Sequence, residues 1–127
     1  IHIRPDNNAL FQEGQAVFRW ATTKVAPVAL RAVELAGLTP ADIDVLIPHQ
    51  ANLRIVDALA RKLRTQGARE DMVVADDIRH SGNTSSASIP LALDHMRADG
   101  RVRSGDTALL VGFGAGLSYA AQVVTCP

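Results

Sequence analysis

Three stretches hold the residues best suited to chemistry: Pro48-His49-Gln50-Ala51-Asn52, Gly82-Asn83-Thr84-Ser85-Ser86-Ala87-Ser88 and Gly112-Phe113-Gly114-Ala115-Gly116. His49 follows an apolar run that reads as a strand and precedes a helical pattern. In α/β sheets ligands bind at the carboxyl ends of strands, so an imidazole there is well placed. A lone loop histidine is more often structural. Asn52 favours the functional reading, because helical spacing sets it on the face of Val56 and Leu59. A polar amide on an apolar face needs a partner, and a cleft at the helix mouth would give one. Asn83 lies in a second strand-to-helix connection among small residues. An Asx turn or helix cap is the plain alternative there, and both readings stay open on that feature alone.

The third stretch superficially resembles a dinucleotide fingerprint. That motif needs a helix after its glycines, whereas Leu117-Ser118-Tyr119-Ala120-Ala121-Gln122-Val123-Val124 alternates like a strand. Backbone N–H groups presented by such a turn can instead hold an oxyanion. The single cysteine, Cys126, has no helix N-terminus or cation beside it in sequence to lower its pKa, and is read as incidental. His2, His80 and His95 show no metal-ligand spacing, and no metal is expected.

The elements that must position these turns follow from periodicity. Val17, Ala21, Val25, Val28, Ala32 and Ala36 predict a helix over 15–36, kinked near Thr23 by Pro27 and stopped at Gly37. Ile43 to Ile47 predicts a buried strand ended by Pro48. Ala51 to Arg64 predicts a helix with a core stripe of Ile55, Val56, Leu59 and Leu63 and an outer stripe of Arg54, Asp57, Arg61 and Arg64. Met72 to Ala75 is a short strand, and Thr84 or Ser85 can cap a helix running to about Asp99, with Gly100 as its stop. Thr107 to Val111 and Leu117 to Val124 are strands on either side of the glycine turn, and residues 1–13 hold a β-like piece, Ile1-His2-Ile3, and a polar loop from Arg4 to Asn8. The order α-β-α-β-α-β-β demands an α/β fold: a mixed, mostly parallel sheet covered by helices, its last two strands antiparallel.

Bulk properties exclude several classes. The 127 residues suit one domain, and 47% hydrophobic content places them among globular chains. Thirteen basic residues balance 13 acidic ones, so no global field draws nucleic acid or a membrane. No apolar run approaches the ~20 residues of a membrane span, and no signal peptide is visible. One cysteine without a partner fits a reducing cytoplasm. The chain starts at Ile1 without an initiator methionine and is expected to be part of a longer polypeptide.

Extended to Pro48–Ile55 and Gly82–Pro90, and taken with Gly112–Gly116, these turns resemble the C-terminal half of β-ketoacyl-[acyl-carrier-protein] synthase III, a condensing enzyme of the thiolase-like fold. Gly14-Gln15-Ala16-Val17-Phe18-Arg19 also fits its helix start, so that residues 1–127 read as one C-terminal thiolase-like domain. The resemblance implies a Cys-His-Asn triad that needs no cofactor. The cysteine takes an acyl group from acyl-CoA, malonyl-[acyl-carrier protein] loses carbon dioxide, and the enolate attacks the acyl-enzyme, starting a fatty-acid or polyketide chain. His49 and Asn83 match the catalytic His and Asn, and the backbone N–H of Ala115 matches an oxyanion donor, with Ala where Gly is more usual. Phe18, Ala51, Asn52 and Phe113 match substrate positions, while Arg19, Arg54, Arg61 and Lys62 match basic positions that meet the acidic carrier protein and CoA phosphates. The family's nucleophilic cysteine lies in an N-terminal half absent from this chain, so the fragment alone is expected to be inactive and the complete protein to be a homodimer. Two alternatives stay open: an acyltransferase on the same fold that works without decarboxylation, and a non-catalytic carrier-protein-binding fragment.

Overall fold

A computed structural model of the chain describes residues 2–3, 10–11, 14–114 and 117–127, with side chains from Gln15 onward except that of Val17. Strand β1 (His2–Ile3) pairs antiparallel with β2 (Leu10–Phe11), a pairing the sequence reading did not foresee; the Arg4–Asn8 loop lies outside the described residues.

The first long helix is built in three pieces. Helices α1 (Gly14–Trp20) and α2 (Ala26–Leu35) are joined by a π-helical turn, Ala21–Val25. Pro27 has no N–H to offer the Thr23 carbonyl and its ring crowds that oxygen, so the predicted kink is taken up as a wider turn. Hydroxyl groups supplement the backbone there: Thr22 donates to the Phe18 carbonyl at 3.1 Å and Thr23 to that of Arg19 at 2.7 Å. The wider turn also shifts the buried stripe by one residue. Ala21, Val25, Ala29 and Val33 face the core, while the expected Val28 and Ala32 are only half-buried and Ala36 is exposed. Gly37, at φ 75°, ends α2 as predicted.

Strand β3 (Val45–Pro48) is buried throughout, and α3 (Leu53–Thr65) follows it with Ile55, Val56, Leu59 and Leu63 on the core as predicted. Asn52 does not sit on that apolar face. It is the exposed N-cap, and its Oδ1 accepts the Ile55 N–H at 3.0 Å, which satisfies the amide oxygen locally. Strand β4 (Val73–Val74) leads to a short helix, α4 (Ile78–Ser81), absent from the sequence reading. A 3₁₀ turn, Ser85–Ala87, then enters α5 (Ser88–Ala98). Neither Thr84 nor Ser85 caps α5 with its side chain; Ala87 occupies the cap position. Strands β5 (Thr107–Gly114) and β6 (Ser118–Thr125) form the final pair.

The main sheet has the order β4-β3-β5-β6. Strands β4, β3 and β5 are parallel, and β6 is antiparallel to β5. Alternation along β3 sends Leu46 to one face, with α2 and α3, and Val45 and Ile47 to the other, with Ala92 and Met96 of α5. The sheet is therefore covered on both faces over β3, which fixes the carboxyl end of that strand between two helical layers.

Candidate active site

The His49 turn, the Asn83 turn and the end of β5 at Gly114 converge because parallel register places strand ends together. Pro48 pairs with Val111, and the His49 N–H extends the ladder by donating to the Val111 carbonyl at 2.7 Å. His49 thus lies level with Gly112, and Phe113 and Gly114 follow along β5. The β5 strand runs past its predicted end because these residues keep their places in the ladder, opposite Ala120, Tyr119 and Ser118. Asn83 arrives from the β4 side through α4 and Gly82, whose φ of 69° and ψ of −165° suit glycine. Together they line a cleft of about 460 Å³ that contains His49, Asn83, Ser88 and Phe113.

The His49 ring is half-buried, and burial holds its pKa below the ordinary imidazole value, favouring the neutral form. Nδ1 lies 2.6 Å from Ser88 Oγ at the start of α5. The ring meets Phe113 edge-on, with centroids 5.3 Å apart. With Nδ1 engaged, Nε2 is the nitrogen left for a ligand. Asn83 is exposed, and its Oδ1 accepts the Ser85 N–H at 2.9 Å. The Asx turn considered from sequence is therefore present, and it assigns the carbonyl end of the amide to the backbone. The NH₂ end has no acceptor among the described residues, so the turn and a donor role are compatible. Ser85 itself takes a left-handed φ of 56°, unusual outside glycine.

Two further residues organise the cleft and were missed as site residues in the sequence. The Gln50 side chain is buried and bridges three segments: its Nε2 donates to the Pro48 carbonyl at 2.8 Å and approaches that of Ala75 at 3.4 Å, and its Oε1 accepts the Ile78 N–H at 3.1 Å. The end of β3 is thereby tied to the start of α4, which carries the chain to Asn83. Ser88 accepts the Gln50 N–H at 3.1 Å while touching His49. Both are ordinary polar residues in sequence. The only available signal was the run of small residues at a helix start, which announced close approach but not which partner.

Residues 33–126 match the family described as 3-oxoacyl-[acyl-carrier-protein (ACP)] synthase III C terminal. The chain belongs to this family. It is 58% identical over 119 residues to β-ketoacyl-[acyl-carrier-protein] synthase III 1 of Streptomyces coelicolor, covering 94% of this chain and 34% of that protein. It is 56% identical over 115 residues to the mycobacterial β-ketoacyl-[acyl-carrier-protein] synthase III of Mycobacterium tuberculosis, covering 91% of this chain and 33% of that one. Among solved structures, the priming β-ketosynthase from the R1128 polyketide biosynthetic pathway superposes with a TM-score of 0.85 at 50% identity, over 94% of this chain and 35% of the other. The 3-oxoacyl-(acyl carrier protein) synthase III of Pseudomonas aeruginosa PAO1 gives 0.87 at 35% identity, over 100% and 38%. The chain spans about a third of the length of the curated relatives it matches, and the thiolase-like fold read from its sequence is the fold of these synthase III structures.

The remaining expected positions fall in separate places. Phe18, Arg19, Asn52 and Arg54 line a second cleft of about 680 Å³ at the start of α3. The Arg54 guanidinium stands 5.4 Å from the Phe18 ring centroid, a cation–π contact. Ala51 is half-buried against the larger core cluster. Phe113 lies between regions, edge-on to Trp20 at 6.0 Å and to His49. Arg61 borders a different depression with Asp57 and Arg64, and Lys62 is exposed, so these two do not join Arg19 and Arg54. Ala115 lies outside the described residues. Cys126 is buried beyond the far end of β6, where burial pushes its thiol pKa up. No group of three His, Cys, Asp or Glu side chains is close enough to hold a metal ion among the described residues, and no described helix is long and apolar enough to cross a membrane.

Proposed function

We propose that this chain supplies the histidine and asparagine donors of a decarboxylative Claisen condensation between an acyl-CoA starter and malonyl-[acyl-carrier protein]. The observation that carries this reading is the pairing of His49 and Asn83 on one cleft, each with one polar atom engaged by protein and the other left for a ligand. In the proposed step the malonyl C–C bond to the carboxylate breaks and carbon dioxide leaves. The electron pair moves onto the thioester carbonyl oxygen as an enolate, and two preorganised N–H donors stabilise it there. The enolate carbon then attacks the acyl group held on a cysteine, which departs as thiolate. That cysteine belongs to the whole protein rather than to this chain.

A neutral His49 suits this role, because it donates through Nε2 without withdrawing a proton from solvent. The Ala115 backbone N–H is assigned to the acyl-transfer oxyanion. Phe18, Ala51 and Asn52 are assigned to the substrate arm, with Arg19 and Arg54 at its mouth meeting CoA phosphate or an acidic carrier protein, and Arg61 and Lys62, on a separate part of α3, are assigned to a second contact with that acidic carrier protein. The reaction needs no cofactor or metal, since loss of carbon dioxide supplies the driving force. We further place the whole protein in the cytoplasm as a homodimer.

The test is carbon dioxide release from malonyl-[acyl-carrier protein] by the polypeptide as encoded, with His49→Ala and Asn83→Ala variants. Loss of one such donor costs on the order of 3 kcal/mol of barrier, or about 100-fold to 1,000-fold in rate. Wild-type decarboxylation in both variants would remove the assignment.

A further inference from the structure

We infer that Ser88 is a positioning residue that fixes the His49 tautomer, holding the ring with its proton on Nε2. This rests on the donor role proposed above for His49 and adds a residue to which that reading gives no part.

The argument is one of counting hydrogens. The Ser88 hydroxyl is buried, at 2% relative exposure, on the first residue of α5. It has two partners among the described residues: the Gln50 backbone N–H at 3.1 Å and His49 Nδ1 at 2.6 Å. An amide N–H can only donate, so Ser88 Oγ accepts from Gln50. Among the described residues the hydroxyl hydrogen is then left with one hydrogen-bond acceptor, the Nδ1 lone pair. An imidazole that accepts at Nδ1 carries its proton on Nε2. In the opposite tautomer Nδ1–H and the Gln50 N–H would both point at the serine oxygen, and the buried hydroxyl hydrogen would have no acceptor.

The backbone holds this arrangement from both sides. The His49 N–H is tied to Val111, and the Gln50 side chain locks the peptide after it to Pro48, Ala75 and Ile78. Ser88 is itself anchored at the start of a helix whose next turn buries Ala92 against the sheet. Ring and hydroxyl therefore meet through rigid elements rather than a flexible loop. Phe113 packs edge-on to the imidazole and limits its rotation. Burial, which holds His49 neutral, acts in the same direction.

The experiment is long-range ¹H–¹⁵N correlation of the histidine rings in the encoded polypeptide, wild type against Ser88→Ala, with carbon dioxide release measured on both. The wild type should show His49 as the Nε2–H tautomer near neutral pH. Ser88→Ala should mix in the Nδ1–H form and lower kcat for decarboxylation by about 10-fold to 100-fold, the scale known for losing the partner that orients a metal-ligating histidine and taken over here for a hydrogen-bonding one. Priming by acyl-CoA should keep its KM, and Ser88→Thr, which retains the hydroxyl, should recover most of the rate. An Nδ1–H tautomer in the wild type overturns the inference, and that spectrum alone decides it if Ser88→Ala does not fold. An unchanged tautomer and rate in a folded Ser88→Ala variant overturns it equally. If His49→Ala is impaired while Ser88→Ala is not, the inference fails and the donor reading stands; if His49→Ala decarboxylates normally, the donor reading fails first.

Discussion

Replacing Gln50 by leucine should destabilise the fold by about 1–4 kcal/mol, because the buried amide hydrogen-bonds both the end of β3 and the start of α4. Leucine keeps roughly the volume of glutamine, so the change isolates polar contacts from cavity formation. The Ile78 N–H loses the acceptor it has at 3.1 Å, and the Pro48 carbonyl loses a donor at 2.8 Å. The 3.4 Å approach to Ala75 is long and adds little. Leaving a donor or acceptor buried without a partner costs about 1–3 kcal/mol each, so the two give roughly 2–6 kcal/mol. Burying leucine in place of an amide returns about 1–2 kcal/mol of that. Urea titration followed by circular dichroism on the encoded polypeptide measures the difference as a lowered midpoint at constant slope. A Gln50→Glu variant sharpens the test. Its ionised carboxylate would face two carbonyl oxygens, so it should be least stable near neutral pH and recover on acidification, as the protonated acid donates again. A Gln50→Leu shift below about 0.5 kcal/mol would refute the idea that this side chain holds the end of β3 to the start of α4, since surface changes alone reach that size.

Two further outcomes follow from particular contacts. Asp77 is buried, which raises its pKa, but hydrogen bonds from His95 and Ser81 outweigh that and leave it lowered, while the Asp77 hydrogen bond raises that of His95. A raised histidine stabilises the fold fully below its unfolded value of 6.5 and ceases to do so as pH rises through its folded value; the wild type should therefore lose stability from about pH 6.5 upward relative to Asp77→Asn, whose urea midpoint should be flatter across that window. Asn52→Ala removes the α3 cap and should cost about 1 kcal/mol in the same urea assay, with no loss from the core.

The parts of the fold that were legible in sequence are those governed by local periodicity. The α3 stripe from Ile55 to Leu63 and the buried run Val45–Ile47 came out where spacing put them, because one face or both faces of those elements are dry. The α1–α2 stripe was displaced because a single inserted residue in a π turn rotates everything after it, and Pro27 announced the disturbance without its size. Helix α4 is too short for a periodic signal. His49 and Asn83 could be singled out because strand-to-helix turns are recognisable from their flanks. Gln50 and Ser88 could not, since what makes them important are partners 28 and 39 residues away. Asn52 shows the reverse error: helical spacing assigned it a face, yet a residue at a helix start is extended and answers to its own first turn.

The parallel pairing of β3 with β5 has a consequence for how the site comes into being. The bond that seals the head of this pair, from the Thr107 N–H to the Asp44 carboxylate, spans 63 residues, and the His49–Ser88 contact spans 39. Contacts of such separation form late, after long loops have closed. A chain whose helices have formed but whose β5 has not yet docked has no level partner for His49. A small molecule that bridges His49 and Asn83 would accordingly recognise only the finished sheet. At about 100 times its Kd it would add about 2.7 kcal/mol to the folded state, making cleft ligands folding aids.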